Sequence, residues 1–361
     1  MKKKCLYITL QPIIDGDGAS DKAFAQRDAI AEIGIESHIA YVKEFDGLLS
    51  LYVDDKKITE ISKYVEIYKN LLEEIILLKP THVFIRYVGM ARPCFNSFLS
   101  KVKSRGAMIF MEIPTYPYDG EIDLSSFRKA YGTLRERFFR LFLYRYVDKI
   151  VTSSLFDNIF KIPTVKISNA PAYKLPVKSI QSREGLHMIA VANLAFWHGY
   201  DRLIRGMANY YREPHDKKIY FTIVGKGNLS VYNQLVSLVK DNSLEDYVCF
   251  LGQKKNSELD KYFDEANLAI GCLGCHRKNI YEVKSLKNVE YAMRGIPFVY
   301  SESNSDFDQR PYVLRVPADD SDIQLDLLLS FVQNLNLSPS EIHDSVKEYT
   351  WGNQMKKVFC D

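Results

Sequence analysis

Two glutamates, Glu282 and Glu290, are separated by seven residues in the stretch YEVKSLKNVEYAMRGIPFVYS. The apolar spacing predicts a helix around Leu286–Arg294, which Gly295 and Pro297 end before a strand. The start of such a helix offers free backbone N–H groups and a positive dipole end, both suited to a phosphate. The two carboxylates could then hold hydroxyl groups on either side. The alternative is two solvated glutamates on an amphipathic helix.

A second pattern with chemical potential is GCLGCHR, in which Cys272, Cys275 and His276 have the spacing C-x-x-C-H. This spacing is typical of haem attachment, and C-x-x-C alone is typical of a redox pair or half of a zinc site. Haem attachment requires export, and a zinc site usually needs a second ligand pair, whereas the other cysteines are isolated. We therefore expect Gly271 and Gly274 to matter more than the thiols, by letting the backbone approach a ligand.

The composition is that of an ordinary globular chain of 361 residues, with a formal net charge of +3, 47% hydrophobic and 26% charged residues. This length suits two domains, and the charge is too small to indicate nucleic acid binding. No apolar run reaches the roughly 18 residues that span a membrane. The start, MKKKCLYITLQP, is typical of a first buried strand rather than a signal peptide. We therefore expect a cytoplasmic protein.

Short apolar runs alternate with amphipathic stretches in both halves of the chain, including a long helix predicted around Glu60–Leu78. This alternation predicts an α/β fold with two Rossmann-like domains of parallel strands, joined by a linker at 176–186. Ligands of open parallel sheets bind beyond the carboxyl ends of the strands. The chemistry should therefore lie in the loops that follow strands, and both patterns above lie in one such region.

The E-x7-E pattern, followed by a helix, Gly-x-Pro and a strand, resembles the signature of family 4 retaining glycosyltransferases with the GT-B fold. The resemblance covers nearly the whole chain and is denser in the second half, where it includes VANLAFWHGYDRLIRGM, FTIVGKGN and VCFLGQKKNSELDKYFDEANLAIGCLG. VKEYTWGNQMKKVF resembles the last helix, which crosses back to the first domain. The implied architecture is two sheets facing an interdomain cleft. Its acceptor domain is 1–175 with the helix 346–361, and its donor domain is 187–345.

The resemblance implies transfer of a sugar from a UDP- or GDP-sugar to a hydroxyl group, with retention of configuration and without a metal or other cofactor. Glu290 would accept hydrogen bonds from the ribose, and Glu282 would lie near the donor sugar as a candidate catalytic residue. The other implied donor contacts are with the diphosphate at Lys284, Ser285, Leu286 and Lys287, with the nucleotide at Gly225, Lys226 and Gly227, and with the base at Gly252 and Gln253.

The chain departs from the family at two positions where an arginine and a lysine usually neutralise the diphosphate. Here these positions carry Asn193 and His198. A departing nucleoside diphosphate needs compensating charge. His198 could supply it when protonated, as a catalytic residue, or could be a neutral capping group. Further candidates for the missing charge are Lys284, Lys287, Arg277 and Lys278.

The first half should supply the acceptor side of the site. Gly16 and Gly18 lie in DGDGAS, between a strand and a helix, where the backbone could approach donor phosphate or acceptor; the alternative is a flexible turn. Loops after later strands carry Arg86, Tyr116 and Tyr118 as acceptor candidates and Glu112 as a further candidate catalytic residue. Tyrosines can stack on sugar faces, but they could equally pack around the two prolines of this loop.

A basic aromatic helix is predicted within 126–149, with Tyr131, Leu134, Phe138, Leu141 and Phe142 on one face. Seven basic and two acidic residues between 125 and 149 suggest peripheral contact with an anionic membrane, which would suit a lipid-linked glycan acceptor. The alternative is a helix packed on the core with a solvated basic face.

Three functions remain open at this point. The favoured one is a retaining glycosyltransferase of bacterial surface polysaccharide synthesis, such as capsule, O-antigen or exopolysaccharide. A sugar-nucleotide 2-epimerase with the same fold would need different catalytic carboxylates and a histidine in the cleft. A non-catalytic partner subunit would explain the missing Arg/Lys pair.

Overall fold

The computed structural model describes residues 2–14, 18–61, 64–118, 127–179, 184–254 and 256–360. The chain divides into two units, Met1–Ser168 with Thr350–Asp361, and Asn169–Tyr349. The division precedes the predicted linker 176–186, because the Lys178 backbone N–H donates to Arg294 O at 2.8 Å and holds this segment in the second unit. None of the helices in the described ranges is both long and apolar enough to cross a bilayer.

The first unit is built on a sheet whose described strands have the order β4-β3-β2-β1-β5-β6-β7-β9-β8. The strands from β2 to β9 in this order pair in parallel, and both edges are antiparallel. Its elements are β1 (Lys4–Pro12), α1 (Gly18–Glu32), β2 (Glu36–Phe45), β3 (Leu48–Val53), β4 (Lys56–Ile61), α2 (Tyr64–Leu78), β5 (His82–Arg86), α3 (Pro93–Lys103), β6 (Met108–Glu112), α4 (Phe127–Arg140), a 3-10 turn (Leu143–Arg145), β7 (Lys149–Thr152), β8 (Asn158–Ile159), β9 (Ile162–Lys166) and the chain's last helix (Trp351–Phe359).

The antiparallel edge β2-β3-β4 is absent from the sequence prediction, which places a helix from about Glu60 in this region. The strands turn through two-residue loops, and Phe45 pairs with Leu48 across Asp46-Gly47. Both loop residues have positive φ, +50° and +77°, as a type I′ hairpin requires. Asp-Gly is the strongest short-range hairpin signal, so this edge was readable from the sequence.

The second unit contains a sheet in which every neighbouring pair of described strands is parallel, with the order β12-β11-β10-β13-β14-β15. This is the Rossmann order 3-2-1-4-5-6. Its elements are β10 (Leu186–Val191), α5 (Tyr200–Tyr210), β11 (Ile219–Val224), α6 (Leu229–Asp241), β12 (Val248–Gly252), α7 (Asn256–Glu265), β13 (Leu268–Ile270), α8 (Leu286–Met293), β14 (Phe298–Tyr300), β15 (Val313–Arg315), α9 (Leu325–Asn334) and α10 (Pro339–Asp344).

The second sheet is buried on both faces, as parallel sheets are. Met188 and Ala190 of β10 pack in one apolar cluster, and Ile189 between them packs in another. The two clusters follow the alternation of side chains along a strand. The fold class expected from the sequence, an α/β chain with two sheets rich in parallel strands, is confirmed.

Candidate functional site

The strand order of the second unit reverses between β10 and β13, the point at which such sheets bind ligands. These strands pair in parallel through Met188–Leu268 and Ile189–Ala269. The chain leaves β10 through 192–199 towards α5, and it leaves β13 through 271–285 towards α8. Both loops therefore begin at the carboxyl ends of neighbouring strands. The predicted donor residues lie at this same end of the sheet.

Gly225 and Gly227 follow β11 and lie against the backbone of the loop after β10. A Cβ at Gly225 would lie 1.8 Å from Ala192 O, and one at Gly227 would lie 2.2 Å from Leu194 N. Their φ values, +132° and +147°, also disfavour other residues. The Leu194 N–H donates to Lys226 O at 2.5 Å. The close contact between these two loops alone explains why both positions are glycine.

At the carboxyl end of the outer strand β12, Gly252 has a φ of +66°, and a Cβ there would meet no atom within 4 Å. Lys226 and Gln253 are exposed beside their strand ends, as is Asn193 after β10. These positions are open to solvent at the strand ends, as the predicted donor contacts require.

His198 is buried, with 6% of its surface exposed. Its Nδ1 accepts a hydrogen bond from the Ala195 N–H at 3.0 Å, and its ring stacks on Tyr200 at 5.4 Å. Burial and, after it, the charge of Lys287 lower the pKa of His198 to about 2. The imidazole is therefore neutral, which contradicts a protonated, charge-supplying His198 and agrees with the alternative of a capping group.

Arg277 was a second candidate for the missing charge, but carboxylates already surround it. Its guanidinium donates to both oxygens of Asp201 at 2.8 Å and to Asp320 Oδ1 at 2.7 Å. These hydrogen bonds raise the pKa of Arg277. Its positive charge is offset within the protein, so it would have to be shared with Asp201 and Asp320 to contact a diphosphate. Lys278 lies over the Trp197 ring, 4.2 Å from its centroid.

Glu282 lies in an extended segment bridged to the loop after β14. The Val283 N–H donates to Ser303 O at 2.9 Å, and the Ser303 N–H donates to Tyr281 O at 2.7 Å. Burial raises the pKa of Glu282. Its Oε1 is buried and has no hydrogen-bond partner within the described part of the chain. Glu290 lies in the helix that follows, α8, and is half-buried.

The start of α8 lies next to Glu282. Ser285 is the N-cap residue, yet within the described chain its side chain makes no capping hydrogen bond. Leu286 and Lys287 form the first turn. The Lys284 ammonium pairs with Asp306 Oδ1 at 2.7 Å, whereas Lys287 Nζ is buried without a hydrogen-bond partner among the described residues. Among the described residues at this helix start, Lys287 is thus a cation without a hydrogen-bond partner for its ammonium nitrogen.

Buried polar atoms without partners are concentrated around α8. Buried polar groups are nearly always hydrogen-bonded, so a cluster of exceptions indicates a missing ligand, ion or water. Among the described residues, this cluster comprises Glu282 Oε1, Lys287 Nζ, Asn288 Nδ2, Asn288 Oδ1, Glu302 Oε1 and Asn304 Nδ2.

Asn288, Glu302 and Asn304 are not among the residues singled out from the sequence. Glu302 and Asn304 follow β14 in the polar run SESNSD, and polar residues directly after a buried parallel strand were a usable signal. Asn288 lies on α8, and the sequence carries no comparable signal for it. Its relative exposure is 0%.

The first unit holds the predicted acceptor residues. Gly16 lies outside the described residues, and Gly18 begins α1 and is exposed. The Arg86 Nη1 donates to Ala19 O at 2.7 Å and so anchors the start of α1.

Glu112, at the end of β6, has 0% exposure. Its Oε1 receives Lys22 Nζ at 3.0 Å and Gln26 Nε2 at 2.9 Å, while its Oε2 has no hydrogen-bond partner in the described residues. Burial raises its pKa, but Lys22 and Arg86 outweigh that and hold the pKa below its usual value. This ion pair fastens α1 to the sheet, which opposes the predicted catalytic role.

Tyr116 and Tyr118 are half-buried in an aromatic cluster. The Tyr116 ring packs edge-on against Phe156 at 5.1 Å and Phe160 at 5.6 Å. The Tyr118 hydroxyl donates to Glu136 Oε1 at 2.9 Å. Both rings therefore have a packing role, the alternative raised by the neighbouring prolines.

Residues 177–306, which include the whole switch point, match the family described as Glycosyl transferases group 1. No curated protein sequence is significantly similar to the chain. The fold is similar to that of sucrose-phosphate synthase from Thermosynechococcus elongatus, with a TM-score of 0.66 at 14% identity over 99% of this chain and 98% of that one.

A glycosyltransferase from Rickettsia africae has a TM-score of 0.66 at 12% identity, over 99% of this chain and 97% of that one. Anabaena HepE in complex with UDP-glucose has a TM-score of 0.63 at 9% identity, over 98% and 97% of the two chains. The chain thus has the GT-B fold of these structures, and its segment 177–306 is similar to group 1 glycosyl transferases.

Proposed function

We propose that this protein is a retaining glycosyltransferase of family 4 that transfers a sugar from a nucleoside diphosphate sugar to a hydroxyl acceptor. The observation that carries the proposal is the cluster of unpartnered buried polar atoms at the start of α8. It lies inside the matched segment 177–306 and beside the switch point of the sheet. A ligand with an anionic end and several hydroxyl groups would satisfy both its donors and its acceptors.

The diphosphate would bind at the first turn of α8, where backbone N–H groups and the helix dipole favour an anion. Lys287 would pair with it, because its ammonium has no hydrogen-bond partner among the described residues. Lys284 could add charge only by sharing Asp306. Glu290 would accept hydrogen bonds from the ribose, and Glu282 would contact the donor sugar through its unpartnered oxygen.

Transfer would proceed by front-face displacement. As the bond from the anomeric carbon to the diphosphate oxygen breaks, the acceptor oxygen attacks from the same face. Its proton passes to the leaving phosphate, so no protein base is required. Stabilising the leaving group is then the main task of the protein, and Lys287 with the start of α8 would do it. We expect no metal ion to take part in this step.

Among the similar structures, one is a HepE complex with UDP-glucose and another is a TarM complex with UDP. These support UDP-sugar as the first donor to test. A place in the synthesis of a bacterial surface polysaccharide would follow if the acceptor is a glycan or a lipid-linked glycan.

The decisive experiment is calorimetric titration of UDP and of UDP- and GDP-sugars into wild-type protein and the Glu290→Ala variant. If Glu290 contacts the ribose, the variant should bind nucleotide at least roughly tenfold more weakly than wild-type protein, since hydrogen bonds to a charged group contribute about 1.5–3 kcal/mol. Undiminished affinity would refute the role of Glu290. If no nucleotide binds wild-type protein, a non-catalytic subunit is favoured instead. Donor epimerised without acceptor, seen by NMR, would favour the 2-epimerase.

We also propose that α4 places the protein on an anionic membrane. Of the five residues expected on one helical face, Tyr131, Leu134, Phe138 and Leu141 are each between 57% and 67% exposed, whereas Phe142 is half-buried. Arg135 and Arg137 are exposed on the same segment. An apolar stripe beside basic residues suits the surface of an anionic bilayer.

Co-sedimentation with phosphatidylglycerol vesicles and with phosphatidylcholine vesicles tests the membrane proposal. The Leu134→Ser, Phe138→Ser double variant should lose binding to the anionic vesicles. Leu327→Ser, on the exposed side of α9, is the matched control because its side chain is 44% exposed in the second unit. Equal binding by all three proteins would contradict the role of α4.

A further inference from the structure

Three buried side chains converge at the carboxyl ends of β13 and β14. One ligating atom from each of Cys272, Cys275 and Glu302 lies within 4.8 Å of those of the other two. Their exposed fractions are 6%, 5% and 1%. The two strand ends are tied by hydrogen bonds from Gly271 N–H to Val299 O at 2.8 Å and from Ser301 N–H to Cys272 O at 3.0 Å. Parallel pairing of β13 with β14 therefore brings the C-x-x-C pair to a residue distant in sequence.

The polar groups of this cluster are poorly satisfied by the protein alone. Both cysteines are free thiols. Glu302 Oε1 has no hydrogen-bond partner in the described chain, and the Ser301 hydroxyl makes a long contact of 3.5 Å with its other oxygen. A buried carboxyl group in such surroundings is costly unless a cation or a donor meets it.

We propose that Cys272 Sγ, Cys275 Sγ and the Glu302 carboxylate bind one Zn²⁺ ion, with a water molecule as the fourth ligand. Zn²⁺ accepts thiolate and carboxylate ligands in a tetrahedral arrangement, whereas Mg²⁺ and Ca²⁺ require oxygen ligands. The Cys-x-x-Cys spacing is one in which both thiolates reach a single ion. Binding forms two Zn–S bonds and one Zn–O bond, releases the ligand protons to solvent and involves no oxidation.

The surrounding charge fits this assignment. Two thiolates and one carboxylate carry three negative charges, and the ion supplies two positive ones. Lys287 acts electrostatically on Cys272, Cys275 and Glu302, and it can balance the remaining charge. A buried assembly close to neutrality avoids most of the desolvation cost of its separate charges.

The ion would have a structural role distinct from sugar transfer. It would fasten the first part of the loop 271–285 to the residues that follow β14. The later part of the same loop carries Glu282 and leads into α8. Lys287 would serve both this site and the proposed diphosphate site, so the two share one cation, but zinc content can be measured without any nucleotide.

The test is metal analysis of protein purified without a polyhistidine tag or chelator. Mass spectrometric elemental analysis should find about one zinc per chain, the stoichiometry of a single site. Replacement by Co²⁺ should give an intense near-ultraviolet band from thiolate-to-cobalt charge transfer. Cys272→Ser should abolish that band, and Glu302→Gln should weaken Zn²⁺ affinity at least about tenfold. Cys249→Ser, at an exposed cysteine, is the matched control and should keep full zinc content.

Loss of a buried thiol can itself unfold a domain, so wild-type protein supplies an independent measurement. Alkylation followed by peptide mass spectrometry should find Cys272 and Cys275 protected until a chelator removes zinc. Protein that neither contains zinc nor binds it when titrated would overturn the assignment. So would a cobalt adduct without the thiolate band, or a Cys272–Cys275 disulfide in protein handled without reductant.

Discussion

The ends of β6 and of β13–β14 both carry buried charged side chains, but the two regions differ in how these are satisfied. In the first unit, Glu112 is met by Lys22 at 3.0 Å and Gln26 at 2.9 Å, and Gln26 also receives the Tyr7 hydroxyl at 2.7 Å. In the second, Lys287 and Glu302 each have a buried atom without a partner among the described residues. Glu112 Oε2 also lacks a partner among the described residues, so neither burial of charge nor a single unpartnered atom marks a ligand site; the second region differs in having several such atoms around α8.

The largest difference between the two regions should appear in kcat when one carboxylate is removed from each. Glu282→Gln should reduce kcat of sugar transfer by about 100- to 1,000-fold if its free oxygen meets the reacting sugar, the range seen when one stabilising contact is lost. Glu112→Gln should leave kcat per folded molecule within about threefold, a small change on the same scale. Single-turnover rates with donor and acceptor would measure both. The reverse order would move the catalytic centre to the first unit.

The two variants should rank in the opposite order when the free energy of unfolding is measured. Glu112→Gln removes the carboxylate that pairs with the buried Lys22 ammonium, and breaking a buried ion pair costs about 3–5 kcal/mol. Glu282→Gln should change the free energy of unfolding by less than about 1 kcal/mol, because no ion pair is lost. Denaturant unfolding measures both values.

The pH dependence sharpens this prediction. The pKa of Glu112 is lowered in the folded protein, so its contribution is present above the ordinary value of 4.5 and is lost as the pH falls through the folded pKa. The stability difference between wild type and Glu112→Gln should therefore shrink on acidification below pH 4.5. A difference that stays constant would exclude the ion pair as its cause.

The loop contact at Gly225 gives the next largest effect. Gly225→Ala would place a Cβ 1.8 Å from Ala192 O at φ +132°, so the two loops must separate. We expect a loss of at least about 2 kcal/mol, in the range for overpacking with backbone strain. Gly252→Ala is the control, because its Cβ would meet no atom within 4 Å and only its φ of +66° is unfavourable, at about 1 kcal/mol. Equal losses in thermal unfolding would show that the loop contact contributes nothing.

The smallest effect concerns His198. Its folded pKa, about 2, lies below its ordinary value of 6.5, so the unfolded chain binds the proton more readily and stability falls as the pH drops below 6.5. Going from about pH 7.5 to about pH 5.5 should cost about 1.4 kcal/mol through this residue. His198→Asn should flatten that part of the curve. A protonated His198 bound to phosphate would instead make nucleotide affinity rise on acidification, which calorimetry at both pH values can detect.

The sequence predicted the elements of the second unit well because each strand and helix there has its own periodic pattern, from HMIAVAN to PFVYS. It also indicated Glu282, Lys287 and the start of α8, which are neighbours along the chain. It did not show that Arg277 is held by Asp201 and Asp320, or that Glu302 lies against the cysteine pair. These pairings join residues far apart in sequence, and only the strand order brings them together.

The first unit shows the same limit. Taken alone, Glu112 is a plausible ligand-binding residue, since polar residues at strand ends of a parallel sheet often bind ligands, and nothing local assigns Lys22 or Gln26 of α1 to it. Their mutual hydrogen bonds depend on how α1 packs on β6, and no local pattern records that packing. The missed β3–β4 edge is different, because its Asp46-Gly47 turn is a local signal that the sequence carries.

The membership of Trp351–Phe359 in the first unit affects the order in which the chain can fold during synthesis. Phe359 packs against Phe84 and Phe110, and Lys3 Nζ donates to its carbonyl oxygen at 3.1 Å. The ribosome releases these last residues only after all of 169–349 has emerged, so the second unit can finish folding while the first still lacks a helix. A stalled or clipped product would thus expose the aromatic rings of β5 and β6, a surface that quality-control proteases could recognise.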